Sequence, residues 1–332
     1  MFDIERVKSL VESTIENNSN AEYMTEDVEG VELAGVFGQD MCDDMNLAIE
    51  ESVVDFYEFT AGASAMMMEA ALSDPTKVEV LAEAAKAGIG ERVKAFFTKI
   101  ANFFKTLGTK IVAYFTAFAN MTKSWKKNAL PKINAATDNG RTAKLHDWDI
   151  DALLGVDAIK SGFDALGKVE AVTTQDVQGF ALRKLFGSDA PSTVKDMKNW
   201  VSTKVGASVE PKSKNVFSVK SDLLHIIDKG PDMGKAISDT CKKCSAQASK
   251  KAKEFSGLTK DSKKNDESSD QQTQAIKNVM MAWSFAQKAI TSYSGCVQSV
   301  LKSAVHESMS ALNVLLKSAK KSKDSKDDDS EK

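Results

Sequence analysis

The sequence predicts a mainly α-helical protein, with long amphipathic helices in a bundle and a small α+β insert around residues 140–228. Only 5 prolines and 18 glycines interrupt its 332 residues, and the residues that favour helices, such as Ala, Lys, Glu and Met, are abundant. Several long stretches also place apolar residues at steps of three and four. With 42% hydrophobic residues, the chain can form a real core.

Charge divides the chain into two unequal parts. Residues 1–83 contain 20 acidic and 3 basic side chains, a net charge of −17, whereas residues 84–332 contain 27 acidic and 41 basic side chains, a net charge of +14. An acidic block can neutralise the basic part, repel nucleic acid until it is removed, or keep a helical region soluble. The charge pattern alone does not rank these three.

We assign residues 1–83 to an acidic helical N-terminal region, a candidate propeptide. Helical spacing of apolar residues predicts a short helix over residues 3–17 and a longer one over Val31–Phe59. The small residues 61–65 then lead into the run MMMEAAL. Ser73-Asp74-Pro75 predicts a break and a new helix start, since Pro75 fits a first turn.

Residues 84–136 form the second region, a basic, phenylalanine-rich amphipathic helix centred on Glu91–Phe118. Gly88 and Gly90 are predicted hinges in front of it, while Gly108 is expected to leave it intact. At 100° per residue, eleven apolar side chains fall on one face: Val93, Phe96, Phe97, Ile100, Phe103, Phe104, Leu107, Ile111, Tyr114, Phe115 and Phe118. Basic residues border this face, with Lys94 and Lys105 on one flank and Arg92, Lys99 and Lys110 on the other.

The turn cluster Ala136–Arg141 predicts a boundary after this helix, which is expected to reach about Trp125 before Pro131. In the third region, residues 137–229, we predict a small mixed or irregular unit. Its β-branched stretches are AKLHDWDI, KVEAVTT and KNVFSVKSDLLHII, and its predicted helices are Val177–Phe186 and Ser192–Lys204.

A helical hairpin is predicted over residues 230–318. Its first helix covers Asp232–Phe255, a flexible polar linker covers Thr259–Gln272, and a long helix with a sustained apolar stripe covers Thr273–Lys317. Residues 319–332 form a charged tail that we expect to be disordered.

No enzymatic motif is found in the sequence, so we expect a protein that is not an enzyme and has no cofactor or metal. Cys241-Lys-Lys-Cys244 lacks two further ligands at matched spacing for zinc, and we interpret both cysteines as small helix residues. His146-Asp147-Trp148-Asp149 is interpreted as a solvated loop. Four cysteines without an apolar signal segment predict a reducing compartment.

The central segment allows three interpretations. It is a core helix of a bundle, or an interfacial helix at a membrane surface, or a helix that binds phosphates through its lysines while its aromatic face packs on protein. The first is compatible with either of the others. The candidate contacts to DNA or membrane are Arg92, Lys94, Lys99, Lys105, Lys110, Lys123, Lys126 and Lys127.

The order of an acidic helical stretch, VELAGVFGQDMCDDMNLAIEESVVDFYEFTAGASAMMMEAA, and a basic aromatic one, ERVKAFFTKIANFFKTLGTKI followed by FANMTKSWKKNALPKI, resembles virion structural proteins of large tailed bacteriophages. The resemblance is to the internal-head or core type and covers about residues 30–135. It implies a place inside the capsid, host cytoplasm during assembly, and other virion proteins as partners. It also implies trimming by a prohead protease after a small or aliphatic residue, any residue and Glu. Leu81-Ala82-Glu83 before Ala84 fits that pattern.

The function expected from these observations is that of a non-enzymatic virion protein, associated with packaged DNA or the head core through its basic helical part and processed after Glu83. Cleavage there would remove the acidic block and leave a product that non-specific phosphate contacts retain beside DNA. One alternative is a membrane-active protein acting through residues 91–118. Another is a scaffold that self-associates, as a homo-oligomer, through residues 273–317.

Overall fold

The computed structural model describes residues 39–154, 156–172, 174–261 and 269–324. Of these residues 81% are helical, and seven α-helices pack together with one two-stranded sheet. The mainly α fold predicted from the sequence is confirmed. The elements are α1 (Gln39–Ser73), α2 (Val78–Ala135), β1 (Thr142–Leu145), α3 (Val156–Gly167), α4 (Val177–Phe186), α5 (Met197–Lys204), β2 (Lys212–Asn215), α6 (Lys220–Asp261) and α7 (Ser269–Asp324).

Helices α1 and α2 form an antiparallel hairpin with a tight turn. The Asp74 N–H donates to the Ala70 carbonyl at 2.7 Å, and the Thr76 hydroxyl donates to the Asp74 carboxylate at 2.5 Å. A 3₁₀ turn over Pro75–Lys77 then leads into α2. The predicted break is therefore confirmed. The helix predicted over residues 3–17, and residues 31–38 of the next one, lie outside the described residues.

Helix α2 is continuous, so the predicted hinges at Gly88 and Gly90 are wrong. Gly90 is buried, and the Phe59 ring of α1 lies on Gly88, where an added Cβ would come within 2.3 Å of Phe59 Cζ. Gly88 permits this close packing, which outweighs the low helix propensity of glycine, about 1 kcal/mol relative to Ala. The helix also continues beyond Pro131 to Ala135, although a proline inside a helix removes the hydrogen bond to the carbonyl four residues earlier. The region boundary at residues 83/84 falls inside α2.

The aromatic face of α2 forms the centre of the bundle. All eleven apolar side chains of the predicted face are buried. Rings from other elements meet them edge to face: Phe97 contacts Trp283 of α7 at a centroid distance of 5.3 Å, and Phe104 contacts Phe163 of α3 at 5.4 Å. This geometry is favourable because the positive edge of one ring meets the negative face of the other.

Helix α6 runs antiparallel to α2 at short range. The Ser245 hydroxyl donates to the Ala101 carbonyl at 2.8 Å. Toward the other end, an added Cβ at Gly234 would lie 2.1 Å from Phe115 Cβ, so glycine is what allows the two helices to approach. Helix α7 contacts the same core through Trp283 and Val305, and with α1 it completes a bundle of four long helices.

The insert consists of β1, β2 and the short helices α3, α4 and α5. Strands β1 and β2 are antiparallel, with Thr142 opposite Asn215 and Leu145 opposite Lys212. The insert is fixed to α7, since the Tyr293 hydroxyl donates to the Leu153 carbonyl at 2.8 Å and the Trp200 and Phe186 rings contact the Tyr293 ring. The prediction of a small insert that contains both strands and helices is therefore confirmed.

Three details of the insert and hairpin differ from the sequence analysis. No strand forms in KVEAVTT among its described residues, 168–172 and 174, and KNVFSVKSDLLHII contributes only its first two residues to β2. Helix α6 begins at Lys220, so the boundary at residues 229/230 falls inside it. Helix α7 continues to Asp324, beyond the predicted end at Lys317. Half of the predicted linker, residues 262–268, and the end of the tail, residues 325–332, lie outside the described residues, and the remaining linker residues belong to α6 and α7.

Candidate polyanion-binding surface

Helix α2 is strongly basic beyond about its first four turns. From Arg92 to Ala135 it contains nine basic residues and no acidic one. Eight of the nine are the predicted contact residues, and Lys132 is the ninth. Since the aromatic face is buried, the flanks that carry these side chains lie at or near the surface. Their environments are not equivalent.

Arg92 and Lys99 are engaged by α1. The Arg92 guanidinium lies 3.8 Å from the centroid of the Phe59 ring, within the range of a cation–π contact. Lys99 Nζ donates to the Ser52 hydroxyl at 2.6 Å and to the Ala48 carbonyl at 3.3 Å. Exposed carboxylates of α1 are close in sequence to these contacts: Glu51, Asp55 and Glu58. Contacts with α1 therefore engage two of the basic residues on this flank of α2.

Lys94 and Lys105 lie on the opposite flank, beside α6. Lys94 has 48% of its side chain exposed, and its Nζ lies 3.8 Å from Glu91, a surface pair that contributes little. Lys105 is exposed. Both side chains are therefore placed to contact an external anion.

The last three candidates divide between an ion pair and the open surface. Lys126 pairs with Asp228 of α6. Lys123 and Lys127 are exposed, and within the described parts of the chain no ion pair joins either of them to a carboxylate. Lys110 is half-buried on the α1 side. The structure thus brings only part of the predicted set together as an open cationic surface.

The candidate processing site lies near the start of α2. Glu83 and Ala84 are exposed and Leu81 is half-buried. All three are within the helix, so a protease that binds an extended substrate must first unwind this turn. The short distance to the helix start at Val78 favours such local opening, because helix ends fray more readily than helix centres.

The two cysteines of the Cys-x-x-Cys motif lie in the core between α6 and its neighbours. Burial raises the pKa of the Cys241 thiol from its ordinary 9.0 to about 12 and raises the pKa of Cys244 well above that ordinary value. Reactive and metal-binding cysteines need the thiolate, which this environment disfavours. Among the described residues, no three His, Cys, Asp or Glu side chains group in a way that could hold a metal ion.

The His146 loop has partners that sequence reasoning missed. His146 Nδ1 lies 2.7 Å from Glu307 of α7, and the His146 N–H donates to the same carboxylate at 2.6 Å. Lys214 holds the pKa of Asp147 below its usual value by a direct hydrogen bond. The loop is therefore tied to α7 and β2. No spacing in the sequence signals these contacts, because Glu307 is distant along the chain.

Comparison with known proteins adds no relative to this picture. No family model, curated protein or solved structure matches the chain. The functional argument therefore depends on the surface of this chain itself.

Both alternative functions need apolar residues that the fold buries. Interfacial insertion of residues 91–118 would need their aromatic face, which is buried in the bundle. Self-association through the apolar stripe of α7 would likewise need residues such as Trp283 and Leu312, which are buried within the same chain. No helix of the described residues is long and apolar enough to cross a membrane.

Proposed function

We propose that the protein is a non-enzymatic structural protein of a tailed-bacteriophage virion, located inside the head and associated with packaged DNA or the head core. It would bind through the basic outer surface of α2 and would be present in the host cytoplasm during assembly. The observation that carries the proposal is the absence of any acidic residue from Arg92 to Ala135 in a helix whose apolar face is already buried. The exposed lysines on the flanks of such a helix are available to an external partner.

Duplex DNA is the partner that this chemistry favours. Lysines on a helix bind phosphates as mobile point charges, without fixed geometry, and release counterions from the DNA. Binding of this kind needs no base contacts, so it suits a protein that must bind any packaged sequence. The arrangement of charged regions along residues 30–135 supports the same role by resemblance to internal head proteins.

Processing after Glu83 is part of the proposal, and the structure adds a condition to it. Helix α1 buries Ile49 and Phe56 in the common core, so a cut at Glu83 would leave α1 bound to the rest of the bundle until these contacts open. Mass spectrometry of the protein in native particles tests this step. A terminus at Ala84 supports processing, and an intact Met1 contradicts it.

The DNA-binding proposal is tested with the purified full-length chain and two labelled 20-bp duplexes of unrelated sequence. We expect binding to both with similar affinity, and a loss of affinity between about 50 and 200 mM salt that reflects the number of phosphate contacts. Fluorescence anisotropy measures both quantities. Absence of binding at the lower salt concentration, or a large preference for one duplex, would contradict the proposal.

A matched pair of variants distinguishes binding by this surface from binding that depends only on the net charge of the protein. The first carries four Lys→Ala changes at exposed positions of α2: Lys94, Lys105, Lys123 and Lys127. The control carries four Lys→Ala changes at exposed positions of the insert: Lys144, Lys184, Lys195 and Lys198. We expect the first variant to lose most of its affinity and the control to retain it. Equal losses would show that net charge, not this surface, governs binding.

A further inference from the structure

We propose that the DNA-binding surface is a strip shared by two helices, in which Lys242 and Lys253 of α6 act together with Lys94 and Lys105 of α2. The strip, defined by these four lysines, would contact backbone phosphates of duplex DNA at two levels along the helices. This inference depends on the proposed function and adds residues of α6 to it.

The register of the two helices places the four lysines in pairs. The reference point is the hydrogen bond from the Ser245 hydroxyl to the Ala101 carbonyl, at 2.8 Å. One turn away, antiparallel helices bring Lys105 and Lys242 to the same level. Two turns away in the other direction, they bring Lys94 and Lys253 to the same level. The contact between Gly108 and Cys241, where an added Cβ would lie 3.1 Å from Cys241 Cβ, confirms this register.

All four side chains are on the outer side of the seam between the helices. Lys94 is 48% and Lys242 is 74% exposed, and Lys105 and Lys253 are exposed as well. Lys242 Nζ also lies 3.1 Å from Asp239, in an exposed i,i+3 pair. Such a surface pair contributes little, so a phosphate can compete for the ammonium group.

The charge of α6 changes sign along its length, and this limits the strip to one end. Residues 220–239 hold three lysines and four aspartates, whereas residues 240–254 hold five lysines and one glutamate. At the acidic end, Asp228 pairs with Lys126 of α2. At the basic end, α6 adds positive charge beside Lys94 and Lys105. The strip is therefore the part of α2 where the neighbouring helix strengthens the positive potential.

The dimensions suit a DNA backbone. From Lys94 to Lys105 the helix rises about 16 Å, which corresponds to about five phosphates of one strand at about 3.4 Å per step along the axis. Two close-packed helices hold the lysines on a rigid base, while the side chains themselves adapt to the phosphate positions.

Three double variants of the full-length chain test the strip by anisotropy with a 20-bp duplex. They are Lys242→Ala with Lys253→Ala, Lys94→Ala with Lys105→Ala, and the control Lys195→Ala with Lys198→Ala in the insert. We expect each strip variant to weaken binding by about tenfold or more near 0.1 M salt and to reduce the salt slope by about 1.8, because two contacts are lost. The control should change affinity less than about twofold.

The outcomes separate the two proposals. If the α6 variant behaves like the control while the α2 variant loses affinity, the shared strip is wrong and the DNA-binding function stands. If neither strip variant differs from the control while the intact chain binds, or if only the α6 variant loses affinity, the shared strip is wrong; if the intact chain does not bind, both proposals fail. Binding of the intact chain to vesicles of phosphatidylserine and phosphatidylcholine, lost in both strip variants while duplex binding is unchanged, would instead assign the strip to anionic lipid. The corresponding Lys→Gln pairs, with circular dichroism of each variant, ensure that a folding defect is not read as lost binding.

Discussion

The two flanks of α2 are packed in opposite ways. Toward α1, contact depends on side-chain ends: the half-buried Phe59 ring lies on Gly88, and Lys99 reaches Ser52. Toward α6, the backbone itself is in contact, because Gly234 lies directly against Cβ and Cγ of Phe115. The α1 flank is acidic and engages two of the basic residues, whereas the α6 flank adds lysines at one end.

This difference indicates that one helix serves two purposes. The close α6 flank fixes the geometry of the bundle and presents the cationic strip. The looser α1 flank engages Arg92 and Lys99 of the same helix through side-chain ends and has fewer rigid contacts to lose. We infer that α1 is the neighbour that can separate from α2 without loss of the fold, and that α6 is not.

The largest expected effect is that of Gly234→Ala, which disturbs the packing of α2 against α6. The added methyl group would overlap Phe115 Cβ and Cγ, each at 2.1 Å, and the Cβ atom cannot move unless the α2 backbone moves. We expect a loss of about 3 kcal/mol in the free energy of unfolding, measured by urea denaturation. Gly62→Ala is the control, since nothing lies within 4 Å of its Cβ position, and it should be neutral or stabilising. A Gly234→Ala protein as stable as the control would show that the α6 flank is not close-packed.

The second effect is a loss of stability in alkaline solution, which depends on how well the side chains on the α6 flank are buried. Burial raises the pKa of Cys241 from 9.0 to about 12, so the folded state keeps its proton over a range in which the unfolded state loses it. The contribution of this thiol to the free energy of unfolding is therefore fully present below pH 9. It falls by about 1.4 kcal/mol per pH unit as the pH rises toward 12. Tyr114, whose pKa burial raises to about 12, adds to the loss above pH 10.

Urea denaturation between pH 8 and pH 11.5 measures this dependence. Cys241→Ala should show a shallower decline than the wild-type protein. Cys296→Ala is a useful comparison, because that thiol is only half-buried and should change the decline less. An identical decline in wild type and Cys241→Ala would contradict burial of the thiol in the seam.

The smallest effect is expected for Gly88→Ala, on the α1 flank. The nearest atom to the added methyl group is Phe59 Cζ at 2.3 Å, the far end of a half-buried side chain that can rotate away. The gain in helix propensity, about 1 kcal/mol, offsets the disturbance. We expect a net destabilisation below about 1 kcal/mol in urea denaturation, together with easier separation of α1.

A double-mutant cycle with Phe59→Leu shows whether this contact is the cause. The smaller side chain removes most of the overlap, so Gly88→Ala should become neutral or stabilising in that background. If Gly88→Ala has the same effect in the wild-type and Phe59→Leu backgrounds, the ring does not lie on Gly88. A loss as large as that of Gly234→Ala would remove the distinction between the two flanks.

Much of the fold could be predicted because periodicity is a local property of the sequence. The eleven apolar residues of α2, the break at Ser73-Asp74-Pro75 and the helix Val177–Phe186 were all predicted and are confirmed. The hinges at Gly88 and Gly90 were wrong, since a glycine that breaks a helix and a glycine that admits a neighbouring ring look the same in one dimension. The partners of Lys99 and His146 could not be predicted, because Ser52 and Glu307 are distant in sequence.

The sequence by itself determined that α2 is amphipathic, basic and free of acidic residues beyond Glu91, because these properties follow from residue order and helical geometry alone. Only the tertiary structure decided which cations remain open. Packing of α1 engages Arg92 and Lys99, and Asp228 of α6 pairs with Lys126. At the other end of α6, the register places Lys242 at the level of Lys105. Electrostatic interactions depend on distance in space, and that distance is set only when the helices pack.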